Sequence, residues 1–214
     1  MYFPFMMDLS GQKVVIVGGG AVARRKCELF LDFGADVTLV SPELRADFSD
    51  FGQMFHYVKD CYKEQYLQDA LAVIAASDDP TVNLAVAAWC RDRRVPVNVV
   101  DVPELCTFFV PAIVRRGDLT IGISTAGKSP ALAGQIRRDL AEQYGGEYAL
   151  RLQLLGTHRM LVKEKLTDAA QRRETLVRAS SMDCAAIEAE IRRLEQESAV
   201  RPEEEGEIDD AAKP

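Results

Sequence analysis

The sequence predicts an α/β protein with an N-terminal Rossmann-like parallel sheet, a central α+β dimerisation segment and a C-terminal helical domain. Three observations carry this prediction. The β-branched run Lys13–Val17 is followed at once by a glycine loop and a helical pattern. Strand and helix patterns then alternate to about residue 100, which is typical of parallel βαβ units. From Glu147 onwards only helical patterns remain.

The N-terminal domain is expected to contain five strands with helices on both faces of the sheet. Its first helix ends at Gly34, a typical C-terminal cap. Pro80 begins a second helix that reaches about Arg94. Phe30 and Trp89 lie on apolar helical faces and are expected in the core. The predicted strands are Lys13–Val17, Asp36–Val40, Met54–Val58, Ala70–Ala76 and Pro96–Val100.

A hairpin follows, with predicted strands Phe108–Val114 and Leu119–Ser124 around a Gly117-Asp118 turn. A hairpin and one helix bury little core, so we expect this segment to pack against a second subunit. The predicted helices are Pro130–Tyr144, Glu147–Lys165, Ala169–Ala179 and Cys184–Glu197.

These patterns divide the chain into four expected segments. Residues 1–112 form an NAD-binding domain, 113–146 a dimerisation segment and 147–198 a helical domain. Residues 199–214 are expected to be a disordered acidic tail, because they contain six acidic residues and almost no apolar side chains to bury.

The composition excludes several classes of protein. With 48% hydrophobic and 28% charged residues and a net charge of −7, the chain lacks the basic excess typical of nucleic-acid binding. No apolar run approaches the roughly 20 residues that span a bilayer, so no membrane partner is expected. The apolar stretch 1–7 lacks signal-peptide features and is expected to form an edge strand of a cytoplasmic protein. Five scattered cysteines predict reduced structural thiols and no metal site.

The glycine loop Gly18-Gly19-Gly20-Ala21-Val22-Ala23 fits the dinucleotide pattern G-x-G-x-x-A. It follows a buried strand and opens a helix, which is the context that the pattern requires. The alternative is a tight turn with no ligand. We expect a dinucleotide to contact Gly18, Gly20, Ala21 and Val22.

The second strand ends at Ser41-Pro42-Glu43, where such folds commonly place an acid that binds the ribose. Ser41, Pro42 and Glu43 are therefore predicted cofactor contacts. Glu43 favours NAD, while Arg45 keeps NADP as the alternative because arginine binds a 2′-phosphate.

A second glycine motif, Gly122 to Ser129, formally matches the P-loop pattern G-x-x-x-x-G-K-S. Gly122 lies inside a predicted strand, that strand is expected to be antiparallel, and no later strand supplies an acid for magnesium. We therefore reject a nucleotide triphosphatase. The start of the following helix, with Lys128 and Ser129, remains suited to binding an anion.

Asp101 follows the fifth strand, at the sheet edge where doubly wound folds bind ligands. The simpler interpretation is an N-cap or an Asx turn before Pro103. Ala76, Asp78 and Asn98 belong to the ends of neighbouring strands and are predicted cofactor contacts. Asp79 is expected to cap the helix that begins at Pro80.

Several segments together resemble the precorrin-2 dehydrogenase / sirohydrochlorin ferrochelatase family, the N-terminal region of sirohaem synthases. The resemblance covers the first 145 residues in order. The Asn-Val-Val-Asp segment joined to Ser-Pro-Ala-Leu-Ala is much more specific than the glycine loop. The matching segments are Val15 to Lys26, Ala75 to Asn83, Asn98 to Asp101, Phe108 to Ala112 and Ile123 to Ala133.

The resemblance implies a homodimer that oxidises precorrin-2 to sirohydrochlorin with NAD as hydride acceptor. Some members also insert ferrous iron. It implies that Asp101 is the functional carboxylate, suited to accept a proton or stabilise positive charge. Ser124, Thr125 and Lys128 are the expected substrate contacts, since the substrate carries eight carboxylates. Thr125 occupies a position where some members have serine, the helices after residue 147 match weakly, and the methyltransferase domain of the longer fused members is not expected.

Two histidines complete the candidates. His56 is expected to have a structural place in a strand, and His158 a surface or interface place on a helix. A non-catalytic module that senses NAD or carries a tetrapyrrole is the alternative function. Asp101 beside an intact glycine loop argues for the enzyme.

Overall fold

The computed structural model describes residues 3–199, which form two compact units that divide between Pro111 and Ala112. The first unit contains five strands: β1 (Lys13–Val17), β2 (Asp36–Val40), β3 (Phe55–Val58), β4 (Ala72–Ala75) and β5 (Val97–Val99). They form one parallel sheet in the order β3-β2-β1-β4-β5.

The side chains of β1 alternate between two buried cores, one on each face of the sheet. Val14 and Ile16 pack with helix α1 (Ala21–Asp32). Val15 and Val17 pack with helix α2 (Pro80–Arg93). All four valine and isoleucine side chains are at most 2% exposed, as expected for a strand covered on both faces.

The chain order creates a topological switch point beside β1. From β1 the chain proceeds through β2 to β3 on one side, and β4 and β5 lie on the other side. In doubly wound folds the ligand crevice lies at this switch point, beyond the carboxyl ends of the strands. A ligand is therefore expected to bind at the loops after β1, β2, β4 and β5.

The second unit begins with an antiparallel hairpin, β6 (Ala112–Arg116) and β7 (Leu119–Ile123), in which Ala112 pairs with Ile123. Four helices follow within the described residues: α3 (Pro130–Gln143), α4 (Glu147–Lys165), α5 (Ala169–Ala179) and α6 (Cys184–Ala199). Helix α4 packs against both α5 and α6.

The structure confirms the predicted fold class, the five parallel strands, the hairpin and the helices, with boundaries that shift by up to four residues. Phe30 and Trp89 are buried, as expected. The five cysteines are free thiols. The further division of the second unit at residue 146 stays a prediction. The expected tail, apart from Ala199, lies outside the described residues.

Three predictions were wrong. Residues 3–9 form no edge strand, because none of the strands within residues 3–199 pairs with them, and Phe3 and Phe5 are 84% and 66% exposed. The first hairpin strand begins at Ala112 and not at Phe108, because the amides of Thr107 and Phe108 bond back to the carbonyl of Val97.

The third correction concerns His158. Its side chain is fully buried in α4, where a surface or interface position was expected. Its Nε2 lies 3.9 Å from the buried carboxylate of Glu190 in α6. The helical pattern around His158 is ambiguous because a polar residue on the inner face of a helix looks like a surface residue.

Within residues 3–199, no helix combines the length and apolar character required of a membrane span.

Candidate functional site

The glycine loop after β1 packs so closely on its neighbours that two of its residues have no space for a side chain. A Cβ on Gly18, whose φ is +133°, would overlap the carbonyl oxygen of Ala76 and lie 2.6 Å from its carbon. A Cβ on Gly19 would overlap the carbonyl oxygen of Glu43 and lie 2.7 Å from Ser41 Oγ. The loops after β2 and β4 therefore touch the backbone of the glycine loop directly.

Gly20 differs, because nothing lies within 4 Å of the position that its Cβ would take. It is the N-cap of α1, no side chain bonds to the helix start, and the first turn contains no acidic residue. The first N–H groups of a helix lack intrahelical acceptors and attract anions. Gly20, Ala21 and Val22 thus form an open cradle that fits a pyrophosphate.

The loop after β2 is held on the glycine loop by backbone hydrogen bonds. The amides of Arg45 and Ala46 donate to the carbonyl of Gly19, at 2.9 and 3.2 Å. The buried Ser41 hydroxyl donates to the carbonyl of Glu43 at 2.7 Å. Pro42 and Glu43 are exposed, so the Glu43 carboxylate is open to solvent directly after β2.

The loop after β4 is ordered by a buried amide that sequence reasoning missed. Asn83 in α2 accepts from the Ser77 amide at 3.0 Å and donates to the Ser77 carbonyl at 2.8 Å. Asp79 caps α2 as predicted, accepting from the Thr81 amide at 2.8 Å. Hydrogen bonds from the Thr81 side chain and backbone lower the pKa of Asp79.

Within this loop, Asp78 is exposed and its carboxylate binds Arg45 at 2.6 Å. Ala76 lies at the glycine loop, where its carbonyl contacts Gly18. The predicted cofactor residues from β1, β2 and β4 are thus brought together at one edge of the sheet. Their contact with a cofactor stays a prediction.

Asn98 has a structural place in the middle of β5. Its buried side-chain amide donates to the carbonyl of Phe108 at 3.1 Å and lies 3.6 Å from Cys106 Sγ. Thr107 Oγ1 accepts from the Val97 amide at 2.8 Å. These contacts fold residues 106–108 back along β5.

The Cys106 thiol also holds the turn after β5 through hydrogen bonds. The Val99 amide donates to its Sγ at 3.2 Å, and the sulfur also lies 3.5 Å from the carbonyl of Val102. Burial raises the pKa of the Cys106 thiol, so it remains protonated near neutral pH and can donate to the Val99 carbonyl.

Asp101 lies at the tip of this turn. It has φ +59° and an exposed side chain, and aspartate tolerates this left-handed conformation better than most residues. The short 3-10 helix Pro103–Leu105 has Val102 as its N-cap and no side-chain cap, so Asp101 does not cap it. Across residues 3–199 the Asp101 carboxylate has no hydrogen-bond or ion-pair partner. The carboxylate is thus available to a ligand.

Lys26 in α1 is a further candidate for contact with an anion. Burial lowers the pKa of its ammonium, and Arg25 lowers it further, whereas Cys106 opposes this effect. No carboxylate in the described part of the chain pairs with it. A partly desolvated, unpaired cation near the β5 turn is suited to an anionic ligand.

The predicted substrate residues belong to the second unit. Ser124, Thr125 and Lys128 follow β7 in a tight loop: the Lys128 amide bonds to the carbonyl of Thr125 at 3.0 Å. Ser129 caps α3 by accepting from the Leu132 amide at 3.2 Å. Gly122 lies within the antiparallel β7, which agrees with the rejection of a P-loop.

The residues that the sequence did not reveal are those that shape loops: Gly19, Asn83, Cys106 and Thr107. A signal existed only for Gly19, because three consecutive glycines exceed what the dinucleotide pattern requires. In the described residues, no group of three or more histidine, cysteine or acidic side chains is arranged to hold a metal ion.

Comparison with known proteins agrees with this geometry. Residues 5–112 match a family model described as "Putative NAD(P)-binding", which identifies a nicotinamide dinucleotide as the cofactor without distinguishing NAD from NADP. Residues 116–143 match the model "Sirohaem biosynthesis protein central".

Curated relatives include the siroheme synthase of Methylobacillus flagellatus, 38% identical over 79% of this chain and 37% of the relative. The siroheme synthase of a Psychrobacter species is 35% identical over 93% of this chain and 41% of the relative. The chain thus spans less than half the length of these relatives.

Among solved structures, SirC, precorrin-2 dehydrogenase, superposes with a TM-score of 0.72 and 26% identity, covering 92% of this chain and 98% of that chain. The chain therefore belongs to the sirohaem-biosynthesis family that contains precorrin-2 dehydrogenases and the N-terminal region of siroheme synthases.

Proposed function

We propose that this protein oxidises precorrin-2 to sirohydrochlorin, with NAD as the hydride acceptor. The observation that carries the proposal is the unpartnered Asp101 carboxylate, which follows β5 at the same sheet edge as the glycine loop. The similarity to SirC over nearly its whole length supports the same reaction.

In this proposal the cofactor lies along the carboxyl edge of the parallel sheet. The N–H groups of Ala21 and Val22 bind the pyrophosphate, beside the backbone of Gly18 and Gly20. Glu43, with the backbone at Ser41 and Pro42, meets the ribose. Ala76, Asp78 and Asn98 complete the predicted contacts. When bound, NAD supplies the acceptor for a hydride.

Loss of a hydride from precorrin-2 leaves positive charge on the macrocycle, which is relieved by losing a proton. Asp101 is suited to accept that proton or to stabilise the charge before the proton leaves. Hydrogen bonds of Asn98, Cys106 and Thr107 hold the backbone of the turn that carries Asp101 before substrate binds. Ser124, Thr125 and Lys128 would contact carboxylates of the substrate, the lysine through charge-assisted hydrogen bonds.

The proposal has four further parts. The protein acts as a homodimer through residues 113–146, carries a separate helical domain at 147–198, and works in the cytoplasm. It also inserts ferrous iron into sirohydrochlorin, with iron as a substrate. The expectation of a dimer rests on the small core that a hairpin and one helix provide.

The decisive experiment incubates the purified protein anaerobically with precorrin-2 and NAD. Formation of NADH and sirohydrochlorin, both followed by absorption, is the expected result. Asp101→Asn should lose at least about 100-fold in rate while it still binds NAD, since asparagine also accepts a positive φ. Asp36→Asn, at the opposite edge of the sheet, is the matched control and should retain full activity.

Binding of NAD without turnover in the wild type would contradict the dehydrogenase and favour the non-catalytic module. Iron insertion is tested separately, by adding ferrous iron to sirohydrochlorin and following the sirohaem spectrum. Analytical ultracentrifugation tests the dimer.

A further inference from the structure

A single arginine at the carboxyl edge of the sheet is flanked by two carboxylates from different loops. Arg45 Nη1 lies 2.6 Å from Asp78 Oδ2, and Arg45 Nε lies 3.8 Å from Glu43 Oε2. Glu43 and Arg45 follow β2, whereas Asp78 follows β4. Because β1 lies between β2 and β4, the Arg45–Asp78 pair spans the end of β1 and its glycine loop.

We propose that Asp78, together with Glu43, is a specificity-determining residue that directs this crevice to NAD and against NADP by occupying and neutralising Arg45. The inference rests on the proposed function, because it assumes that the crevice binds a nicotinamide dinucleotide.

The two cofactors differ only in the 2′-phosphate of the adenosine ribose, which carries close to two negative charges. Arginine is the side chain that binds this group, through parallel hydrogen bonds from its planar guanidinium. In this protein a carboxylate already holds Nη1 of the guanidinium, and a second faces Nε. Arg45, Glu43 and Asp78 together carry a net charge of −1, which repels a phosphate and accepts hydrogen bonds from a ribose hydroxyl.

The backbone keeps Arg45 at this position whatever its side chain binds. Its amide donates to the carbonyl of Gly19 at 2.9 Å, and the next amide, of Ala46, donates to the same oxygen. Removing the charge of Asp78 should therefore free the guanidinium without moving the loop. The side chains of Arg45 and Asp78 are 65% and 78% exposed, so neither supports the hydrophobic core.

The test measures dissociation constants of NAD and NADP by calorimetry, for the full chain at low and at physiological salt. The wild type should bind NAD at least about tenfold more tightly than NADP. Asp78→Asn and Glu43→Gln combined should shift the ratio of the two constants by about tenfold toward NADP. The shift should shrink as salt rises, because exposed charges are screened.

Two controls separate charge selection from a structural effect. Adding Arg45→Gln to the double variant should abolish the gained NADP affinity, because the freed guanidinium is its cause. Asp36→Asn removes the same charge at the opposite sheet edge and should leave the ratio unchanged. A merely structural role of Asp78 would weaken both cofactors equally and leave the ratio unmoved.

The outcomes distinguish this inference from the proposed function. Tight NAD binding with an unchanged ratio in the double variant would overturn the inference alone. Wild-type binding of NADP as tight as that of NAD would also overturn it. Failure of the wild type to bind either dinucleotide would overturn the proposed function itself.

Discussion

Replacing Gly18 by alanine should destabilise the first unit strongly, even though it adds a single methyl group. At φ +133° an L-residue is strained by about 1–2 kcal/mol. The new Cβ would also overlap the Ala76 carbonyl. That carbonyl cannot retreat cheaply, because the Ala76 amide is bonded to Val17 at 2.8 Å and the Gly18 amide to Val40 at 2.9 Å. Such overpacking adds roughly 1–3 kcal/mol.

The expected total is about 2–5 kcal/mol, a large part of the 5–15 kcal/mol that stabilises a typical domain. Urea unfolding followed by tryptophan fluorescence measures it. Trp89 is the only tryptophan in the chain and is buried in the core of the first unit, so its emission reports on that unit.

Gly20→Ala is the matched variant, since Gly20 has φ −88° and open space at its Cβ position. It should change the free energy of unfolding by less than about 1 kcal/mol and yet weaken dinucleotide binding. If Gly18→Ala unfolded at the wild-type urea concentration, the close approach of the β1 and β4 loops would be refuted. If Gly20→Ala bound NAD as tightly as the wild type, the open cradle would not be the pyrophosphate site.

Three further changes test other parts of the structure. Asp79→Ala removes the N-terminal cap of α2 and should cost about 1 kcal/mol in urea unfolding, with Asp79→Asn close to the wild type. Thr107→Val keeps the shape of the side chain but leaves the Val97 amide without its hydroxyl acceptor. We expect the unfolding free energy to fall by about 1–3 kcal/mol and the dehydrogenase to be slower. Unchanged stability would contradict the role assigned to the Thr107 hydroxyl. Burial lowers the pKa of His158, while Glu190 opposes this effect, so the unfolded chain binds the proton more readily than the folded chain. The contribution of neutral His158 to the unfolding free energy should therefore be complete above about pH 6.5 and should be lost as the pH falls toward the lowered pKa. Circular dichroism melts from pH 5 to 8 measure this dependence, which should flatten in His158→Gln.

Much of the fold followed from local patterns. The β1 run is apolar on both faces, so its burial could be predicted without knowing its neighbours. Asp79 caps its helix as its position before Pro80 predicted. Such features depend on residues close together in the chain.

The wrong predictions concern segments whose structure depends on residues that are distant in the sequence. Phe108 belongs to an apolar run, but Asn98 captures its carbonyl from ten residues away and keeps the run out of the hairpin. The burial of His158 depends on α6, whose Glu190 approaches from 32 positions further on. The apolar segment at residues 3–9 pairs with none of the strands in the described part of the chain, and no pattern within the segment predicts this.

The positions of the main site residues could be predicted from the sequence, but the contacts between the loops that carry them could not. Gly18 and Asp101 could be placed by the rule that ligands meet the carboxyl ends of parallel strands. The ion pair between Arg45 and Asp78 could not, because it joins loops 33 residues apart whose approach depends on the packing of Gly18 and Gly19.

In the described residues, the backbone of Gly18 contacts the backbone of Ala76 directly, with no side chain between them. The same backbone that would line a bound dinucleotide carries the amides of Gly18 and Ala76, which bond to β2 and β1. Occupancy of the crevice therefore acts directly on the central strands. By mass action, a cofactor at a hundred times its dissociation constant adds about 2.7 kcal/mol to the unfolding free energy. Cellular cofactor concentration would thus help to set the fraction of chains that is folded.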